Sequence, residues 1–461
     1  MTELSGKKIV ILGLARQGKA LAQFAAISGA HVTVSDLRTE EQLHQSIQEL
    51  NGLEITYVLG EHPMNLLQGT DILAISGGIS ANAPLVQAAR DQEIIITNDS
   101  HEFIQRSPAT CIGITGSAGK TTTTALTGAM GEAAGRNTWI GGNIGRPLIT
   151  EIEKIKSGDL VVQELSSFQL EIWQHSPPVA AVLNVTPNHL DRHQSMTAYS
   201  DAKANILRYQ TTNDIAVLSA DDPGAMAMAS MVHGRLRLFS IKQPVSDGAY
   251  IKEGHIWLVN APDKEQVVCP LNVIKLRGRH NLLNVCAAVT LADSVDIPTE
   301  SMVEAIRSFH GVEHRLEWVA TINGVQFVND SIATAPERAL AAIDSYDEPL
   351  ILLAGGKDKN MIWDPWAQHV NQRVSHIILF GELAPFLAEK LEKHKQQGAV
   401  YAKYLIAKNL HEAVDLAADV AAAGDIVLLS PGGTSYDTYI DFAERGEHFR
   451  AIVKRRAQNF S

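Results

Sequence analysis

A glycine-rich turn between an apolar strand and a helical segment carries the strongest chemical signal in this chain of 461 residues. The strand is predicted over 110–114, and the turn ends in Gly119, Lys120 and Thr121. Successive backbone N–H groups in such a turn can surround an anion at a helix N-terminus. A lysine there can reach the terminal phosphates of a nucleotide, and a threonine hydroxyl can bind Mg²⁺. Ile114 stands where the usual pattern has a glycine, so the loop is a variant, and it predicts ATP binding.

A carboxylate follows another predicted strand. Glu164 comes directly after a buried strand predicted over 160–163 and opens the run 164–171. Hard cations prefer carboxylate ligands, so Glu164 could hold Mg²⁺ beside a nucleotide phosphate. The alternative is an acid at a helix N-terminus that is stabilised only by the helix dipole.

Two further residues are weaker candidates. His189 lies in the polar run 184–193, after a strand predicted over 179–183, and is a possible metal ligand. A lone histidine is more often packed or exposed without a ligand. Lys203 lies in a helical pattern over 199–208, where sequence physics alone indicates an ordinary solvated lysine.

The first part of the chain has the layout of a dinucleotide-binding half fold. Buried strands are predicted over 8–12, 31–35, 72–75 and 94–97. A glycine-containing turn over 13–18 follows the first strand, and Asp36 ends the second. Ala15 stands where the second glycine of the dinucleotide pattern normally lies. We expect this domain to end near Asn98.

Strand and helix patterns alternate through the rest of the chain. A stretch over about 222–273 has shorter strand-like pieces, which we interpret as a small β-rich insertion. The last part begins with a strand over 324–330, with further strands over 349–354, 376–380 and 426–430. Such alternation indicates mostly parallel sheets. We therefore predict an α/β fold with a Rossmann-like domain over 1–98, a central P-loop-type ATPase domain over 99–311 and a second Rossmann-like domain over 312–461.

The composition narrows the class of protein. A net charge of −12 argues against general binding to nucleic acid or to membrane surfaces. Cys111, Cys269 and Cys286 are too widely spaced for a disulfide framework or a zinc site. No N-terminal segment resembles a leader, and no run approaches the ~20 apolar residues that span a bilayer. We expect a cytoplasmic protein, acting as a monomer.

The phosphate loop, the stretch 142–147 and the runs 164–171 and 184–193 together resemble the Mur ligase family of ATP-dependent enzymes that form amide bonds. The resemblance extends from Gly13 through Phe449. It implies ATP with two Mg²⁺ ions and a nucleotide sugar held by the N-terminal domain. The run 164–171 favours the branch of the family that adds glutamate to UDP-N-acetylmuramoyl-L-alanine in peptidoglycan precursor synthesis.

The resemblance also implies a set of site residues. Lys120, Glu164, His189 and Lys203 would be catalytic, with Thr121, Glu164, His189 and Lys203 around the metal ions and Lys203 carbamylated by CO₂. The nucleotide would contact Gly116, Ser117, Ala118, Gly119, Lys120, Thr121, Thr122, Asn281, Asn284, His314, Arg315 and Asp330. Uridine and diphosphate would contact Arg16, Gln17, Asp36, Leu37, Arg38, Ser76 and Gly78. The muramoyl-alanyl end would lie near Asn143, Ser166 and Gln169, and the glutamate near Thr334, Lys359, Ser435, Tyr436 and Phe442.

Departures from the family pattern leave the acceptor amino acid open. Ala118 and Asn188 replace polar or charged residues near the phosphates, whereas Ile332, Ala335 and the run 430–435 differ beside the expected amino-acid pocket. D-glutamate, L-glutamate and another acidic acceptor remain alternatives. Family members that add alanine, a diamino acid or a dipeptide are further alternatives, as is folylpolyglutamate synthetase.

Two other classes of function are also open. The turn over 13–18 with Asp36 would suit a nicotinamide-dependent oxidoreductase, which Ala15 disfavours. A non-catalytic sensor of a nucleotide sugar is disfavoured because Lys120, Thr121, Glu164 and His189 are all present.

Overall fold

The computed structural model describes residues 4–187, 190–260, 264–359, 361–395 and 402–459. These residues form three sheets with helices between their strands, and most of the strand pairs are parallel. The chain divides into two compact units, Met1–Ile274 with Arg279–Phe309, and Lys275–Gly278 with His310–Ser461. The first unit contains two of the sheets and the second contains one. The predicted three-domain α/β fold is confirmed.

The N-terminal sheet is parallel, with strand order β3-β2-β1-β4-β5. Its strands are β1 (Lys8–Leu12), β2 (His31–Asp36), β3 (Ile55–Leu59), β4 (Ile72–Ile75) and β5 (Ile95–Thr97). Its helices are α1 (Arg16–Ile27), α2 (Glu40–Gln48), α3 (Pro84–Asp91) and α4 (Asp99–Arg106), with a 3₁₀ turn at Met64–Leu67. The chain leaves β1 in one direction to β2 and later returns to β4 on its other side. The carboxyl end of β1 is therefore the switch point where ligands bind in such sheets.

The central sheet has nine strands in the order β14-β13-β12-β11-β10-β9-β6-β8-β7. They are β6 (Thr110–Thr115), β7 (Thr138–Gly142), β8 (Leu160–Glu164), β9 (Val179–Val182), β10 (Ile215–Ser219), β11 (Arg235–Ser240), β12 (Gly248–Lys252), β13 (His255–Val259) and β14 (Glu265–Pro270). The helices are α5 (Lys120–Ala133), α6 (Ser167–Leu170), α7 (Leu190–His193), α8 (Met196–Arg208), α9 (Pro223–Met226), α10 (Arg279–Asp293) and α11 (Thr299–Ser308). Three 3₁₀ turns lie at Leu148–Lys154, Ala229–Met231 and Leu271–Val273. Strands β6 and β8 are buried along nearly their whole length, as is typical of parallel strands covered on both faces.

The segment 222–273 is rich in strands, as predicted, but it is not a separate insertion. Strands β11 to β14 continue the central sheet beyond β10, first in parallel and then as an antiparallel edge. The buried side chain of Arg237 joins β11 to α10 through an ion pair with Asp293 and a hydrogen bond to the carbonyl of Thr290. This buried polar contact, which a local sequence pattern does not reveal, fixes the segment on the main sheet.

The C-terminal sheet has the order β15-β16-β20-β17-β18-β19 and is parallel except for the β15–β16 pair. Its strands are β15 (Glu317–Ile322), β16 (Val325–Asn329), β17 (Leu350–Gly355), β18 (His376–Phe380), β19 (Lys403–Ile406) and β20 (Ile426–Gly432). Its helices are α12 (Pro336–Ile343), α13 (Asp364–Arg373), α14 (Ala384–Lys393), α15 (Leu410–Val420) and α16 (Phe442–Asn459). Leu350 and Leu352 pack into one apolar layer, whereas Ile351 and Leu353 pack into the other. Helices thus cover both faces of this sheet.

Among the described residues, no helix combines the length and the apolar character that crossing a bilayer requires.

Candidate active site

The predicted phosphate loop connects β6 to the N-terminus of α5. Gly119, which precedes the helix, has a φ angle of +84° in the left-handed region that glycine adopts without strain. A Cβ atom at this position would lie 2.3 Å from Oδ1 of Asn284 on α10. Both the backbone conformation and this close approach require glycine. The structure therefore brings Asn284 against the loop, and Asn284 donates to Oδ1 of Asn281 at 3.0 Å.

Residues just after β9 hold the loop in place. The side chain of Asn184 accepts from the N–H of Ala118 at 2.8 Å and donates to its carbonyl at 3.1 Å. The hydroxyl of Ser117 donates to the carbonyl of Thr186 and accepts from its N–H, both at 2.9 Å. The sequence of the run 184–193 indicates possible ligands but not this positioning role.

Three oxygen-bearing side chains meet at the carboxyl end of β8. The carboxylate of Glu164 is only 2% exposed. Its Oε2 accepts from the hydroxyl of Thr121 at 2.7 Å, and its Oε1 accepts from Nδ2 of Asn143 at 2.8 Å. A carboxylate beside a threonine hydroxyl is a donor set that suits Mg²⁺, so these residues fit the predicted metal site.

Two lysines converge on the same turn of the loop. Nζ of Lys120 and Nζ of Lys203 each donate to the carbonyl of Gly116 at 2.9 Å. Lys203 is only 1% exposed, so its interpretation as a solvated lysine is wrong. Burial, followed by the nearby charge of Lys120, lowers the pKa of Lys203 well below its ordinary value, while Glu164 acts in the opposite direction.

His189 and Asn188 lie outside the described residues. Just beyond them, the buried ring of His193 stacks on Phe168 with centroids 5.0 Å apart, and its Nε2 lies 2.9 Å from the hydroxyl of Ser167. Arg192 donates to the carbonyls of Gly77 and Ile79 at 3.0 and 3.1 Å. Arg192 thereby connects α7 to the residues that follow β4, a contact that no local sequence pattern indicates.

The predicted uridine and diphosphate residues cluster at the carboxyl ends of β1, β2 and β4. Asp36 accepts from the N–H of Leu14 at 2.7 Å and from the guanidinium of Arg38. Burial acts to raise the pKa of Asp36, but the hydrogen bonds from Arg38 and from Leu14 outweigh it and hold the pKa at about 2.

The remaining residues of this group surround the turn over 13–18. The hydroxyl of Ser76 donates to the carbonyl of Gly13 at 2.8 Å, and Oε1 of Gln17 accepts from the N–H of Gly77. Leu37 and Gly78 are exposed beside them. Arg16 is also exposed, and its guanidinium donates to two carbonyls of the loop over 142–146.

Ser166 and Gln169 cap helix α6 and connect it to α4. Together they form the capping box of α6, with the hydroxyl of Ser166 accepting from the N–H of Gln169 at 3.3 Å. Nε2 of Gln169 donates to the hydroxyl of Ser100 at 2.7 Å, and Asn98 donates to the carbonyl of Gln169. These contacts connect α6 to the start of α4.

In the second compact unit, the predicted nucleotide residues His314 and Asp330 lie at one end of β16. The buried His314 has a φ angle of +61°, and its Nδ1 lies 3.0 Å from Nδ2 of Asn329. Asp330 accepts from the hydroxyl of Ser430 at 2.8 Å, and burial raises its pKa to about 7. Arg315 is half-buried, and its positive charge acts to lower the pKa of Asp330, against the effect of burial.

The predicted acceptor residues lie in the same unit. Nζ of Lys359 lies 5.3 Å from the ring centroid of Tyr436, and both side chains are exposed. Ser435 is buried, Thr334 is half-buried, and Phe442 begins α16.

No sequence pattern indicates a role for Arg445, which lies on α16 one turn after Phe442. Its guanidinium is fully buried and donates to the hydroxyl and carbonyl of Ser331 and to the carbonyl of Gly433. Burial lowers the pKa of Arg445 to about 10. Only the three-dimensional structure distinguishes this arginine from the exposed ones on the same polar helix.

Comparison with known proteins gives a family for this arrangement. The model of the MurD-like N-terminal domain of Mur ligases matches residues 7–98, that of the Mur ligase middle domain matches 114–292, and that of the glutamate ligase domain matches 314–433. The UDP-N-acetylmuramoylalanine–D-glutamate ligase of Clostridium tetani is 38% identical over 97% of this chain and 96% of its own length. The ligase of the same name from Symbiobacterium thermophilum is 40% identical over 97% of this chain and 98% of its own length.

The chain belongs to the Mur ligase family. It is therefore an ATP-dependent ligase, and the oxidoreductase alternative is excluded. The solved structure of the MurF ligase from Thermotoga maritima in complex with ADP has the same fold. It aligns with a TM-score of 0.56 at 18% identity, over 99% of this chain and 100% of the MurF chain.

Proposed function

We propose that this Mur ligase joins D-glutamate to UDP-N-acetylmuramoyl-L-alanine, at the cost of one ATP, in peptidoglycan precursor synthesis. The observation that carries the proposal is the near-full-length identity of 38–40% to ligases named for this reaction. The three-sheet fold and the cluster of Lys120, Thr121 and Glu164 provide the ATP-dependent part of such a reaction.

The proposed reaction has two steps. The alanyl carboxylate attacks the γ-phosphorus of ATP, a P–O bond forms, and ADP leaves. The α-amine of glutamate then attacks the carbonyl carbon of the acyl phosphate, loses a proton and expels phosphate. Positioning of the reactants and compensation of their negative charges account for most of the catalysis in phosphoryl transfer.

The residues at the phosphate loop have distinct roles in this proposal. Lys120 and the first N–H groups of α5 bind the phosphates, as at other helix N-termini. Thr121 and Glu164 would hold Mg²⁺, which would supply positive charge that offsets the repulsion between the carboxylate and the phosphates. We place His189 in the same metal set on the basis of the family resemblance alone.

Lys203 is proposed to be carbamylated. Its amine is buried against the carbonyl of Gly116, and such a site favours the uncharged amine that reacts with CO₂. A new N–C bond forms, the amine loses one proton, and the side chain becomes an anion. The carbamate would support the Mg²⁺ ions beside Glu164.

The other substrates are assigned to the remaining sheets. The polar groups at the carboxyl ends of β1, β2 and β4 would bind the UDP part, with Asn143, Ser166 and Gln169 near the alanyl end. His314, Arg315, Asp330, Asn281 and Asn284 would contact the nucleotide, while Thr334, Lys359, Ser435, Tyr436 and Phe442 would contact glutamate. We propose domain limits of 1–98, 99–311 and 312–461, and a cytoplasmic monomer.

ADP release with each glutamate enantiomer tests the proposal. The purified protein is given ATP, Mg²⁺ and UDP-N-acetylmuramoyl-L-alanine, with D-glutamate or L-glutamate in parallel. Stimulation by D-glutamate alone is the expected result, despite Ile332 and Ala335 beside the pocket. Stimulation by L-glutamate alone would replace the acceptor, and no stimulation by either would refute the proposed reaction.

A further inference from the structure

Arg16 connects the N-terminal sheet to a loop of the central sheet. It lies at the start of α1, and its Nη1 donates to the carbonyl of Gly145 at 2.6 Å. Its Nη2 donates to the carbonyl of Asn143 at 3.1 Å. These two bonds span 129 and 127 residues of sequence, so they depend on the tertiary structure alone.

The same loop holds the carboxylate of the candidate metal site. Nδ2 of Asn143 donates to Oε1 of Glu164 at 2.8 Å, and the backbone N–H of Asn143 donates to the carbonyl of Glu164 at 2.8 Å. Oε2 of Glu164 in turn accepts from Thr121 on the phosphate loop. A continuous set of hydrogen bonds thus runs from Arg16 through Asn143 to Glu164.

The loop depends on such support because of its backbone. Gly142 and Gly145 have φ angles of +95° and +60°, and Asn143 and Gly145 are exposed. Glycine in left-handed conformations gives the chain many alternatives when contacts are lost. The guanidinium of Arg16 restricts these alternatives by binding two carbonyls at once.

Arg16 also has capacity for a second partner. A guanidinium carries five N–H donors, and the two bonds to the loop leave others available to an anion. The side chain is exposed and lies on the turn over 13–18, which we assigned to the diphosphate. Binding of a diphosphate there would fix the guanidinium and, through it, the loop.

We propose that Arg16 is a positioning residue that couples binding of the nucleotide sugar to the affinity of the phosphate loop for the Mg²⁺-nucleotide. The coupling acts through the carbonyls of Asn143 and Gly145 and the Asn143–Glu164 hydrogen bond. The inference rests on the proposed function, because it takes UDP-N-acetylmuramoyl-L-alanine as the ligand of the N-terminal sheet. Such coupling is reciprocal, so each ligand strengthens the other by the same factor.

Titration calorimetry measures this factor. The dissociation constant of Mg²⁺ with a non-hydrolysable ATP analogue is determined with and without saturating UDP-N-acetylmuramoyl-L-alanine. In the unaltered protein, we expect the sugar to strengthen nucleotide binding at least about 5-fold. The coupling ratio is the dissociation constant of the nucleotide without the sugar divided by that with the sugar. In Arg16→Ala and in Asn143→Ala, this ratio should fall to about one. The double variant should lose no more of the coupling than either single variant.

Arg146→Ala is the matched control. Arg146 is an exposed arginine at the end of the same loop whose ion pair is with Glu151. Its removal should leave the coupling ratio unchanged. Arg16→Lys should behave like the alanine variant, because a single ammonium group does not reproduce the two-pronged geometry of the guanidinium.

An unchanged coupling ratio in Arg16→Ala would overturn the inference. The inference would also be overturned if Arg16→Ala bound the nucleotide sugar more weakly but kept the coupling ratio of the unaltered protein. Arg16 would then be only a ligand of the sugar. Failure of the proposed function has a different signature, because the nucleotide sugar would not bind to the unaltered protein at all. No acceptor amino acid enters the titration, so the identity of the acceptor does not affect the result.

Discussion

Single side chains at the phosphate loop show how burial changes the chemistry of a residue. Lys203 follows a sequence pattern typical of an exposed lysine, yet its amine lies within hydrogen-bond distance of the loop and almost out of solvent. The loop itself could be predicted because its glycines, lysine and threonine are adjacent in sequence. The contacts of Asn184 with Ala118 and of Arg445 with Ser331 could not, because they join residues that are far apart along the chain.

Replacement of Lys203 tests its proposed carbamylation. Lys203→Ala should lower kcat by about 10- to 100-fold, the range found when groups that support metal ligands are lost. Added short carboxylic acids such as acetate should restore part of the activity by filling the space with an anion. Restoration by neutral acetamide to the same extent, or an intact mass without CO₂ in active protein under bicarbonate, would contradict carbamylation.

Asp36 should make the stability of the protein depend on pH in the acid range. Its pKa is about 2 in the folded protein against an ordinary value of 3.8, so its contribution is fully present above about pH 4 and is lost as the pH falls through 2. We expect Asp36→Asn to lower the free energy of unfolding by about 1–2 kcal/mol at pH 7. Urea unfolding measured from pH 7 down to pH 2 should show this difference shrinking below pH 4. A difference that stays constant over this range would contradict the assignment.

At the level of strands and helices, the sequence predicts the buried central strands best. Strands β1, β4 and β18 have the predicted limits, because each is an apolar run with a turn at its end. Strand β7 was missed because it contains Gly141 and Gly142, and the edge strand β19 because most of its side chains are exposed. An edge strand buries little surface, so its sequence carries little periodic signal.

The edge of the central sheet provides a test of buried ion pairing. Arg237 is fully buried between Asp247 and Asp293, whereas Arg235, on the same strand, is 41% exposed and forms an ion pair with Asp247. Arg237→Ala should lower the free energy of unfolding by about 3–5 kcal/mol, because it removes the cation paired with the largely buried Asp293 and one of the two arginines paired with Asp247. Arg235→Ala should cost less than about 1 kcal/mol. If urea unfolding gave the same decrease in the free energy of unfolding for both variants, the burial of Arg237 would not be what stabilises this edge of the sheet.

Across the whole molecule, the same structural rule places the candidate residues of all three sheets. The turn after β1, the phosphate loop after β6 and Asp330 after β16 all lie at the carboxyl ends of parallel strands, where α/β proteins bind ligands. The rule allows the positions of these three groups of candidate residues to be predicted from strand order in the sequence. It does not specify the acceptor amino acid, which in the proposed function depends on a few side chains around Lys359 and Tyr436.

One labelling measurement tests the proposed reaction most directly. UDP-N-acetylmuramoyl-L-alanine with heavy oxygen in its alanyl carboxylate is incubated with the protein, ATP, Mg²⁺ and D-glutamate, and both products are analysed by mass spectrometry. The account predicts a nucleotide sugar enlarged by one glutamate residue and phosphate that carries one heavy oxygen, because the carboxylate oxygen stays with phosphorus when the acyl phosphate is cleaved. Phosphate without the label, or ADP release without the enlarged sugar, would contradict it.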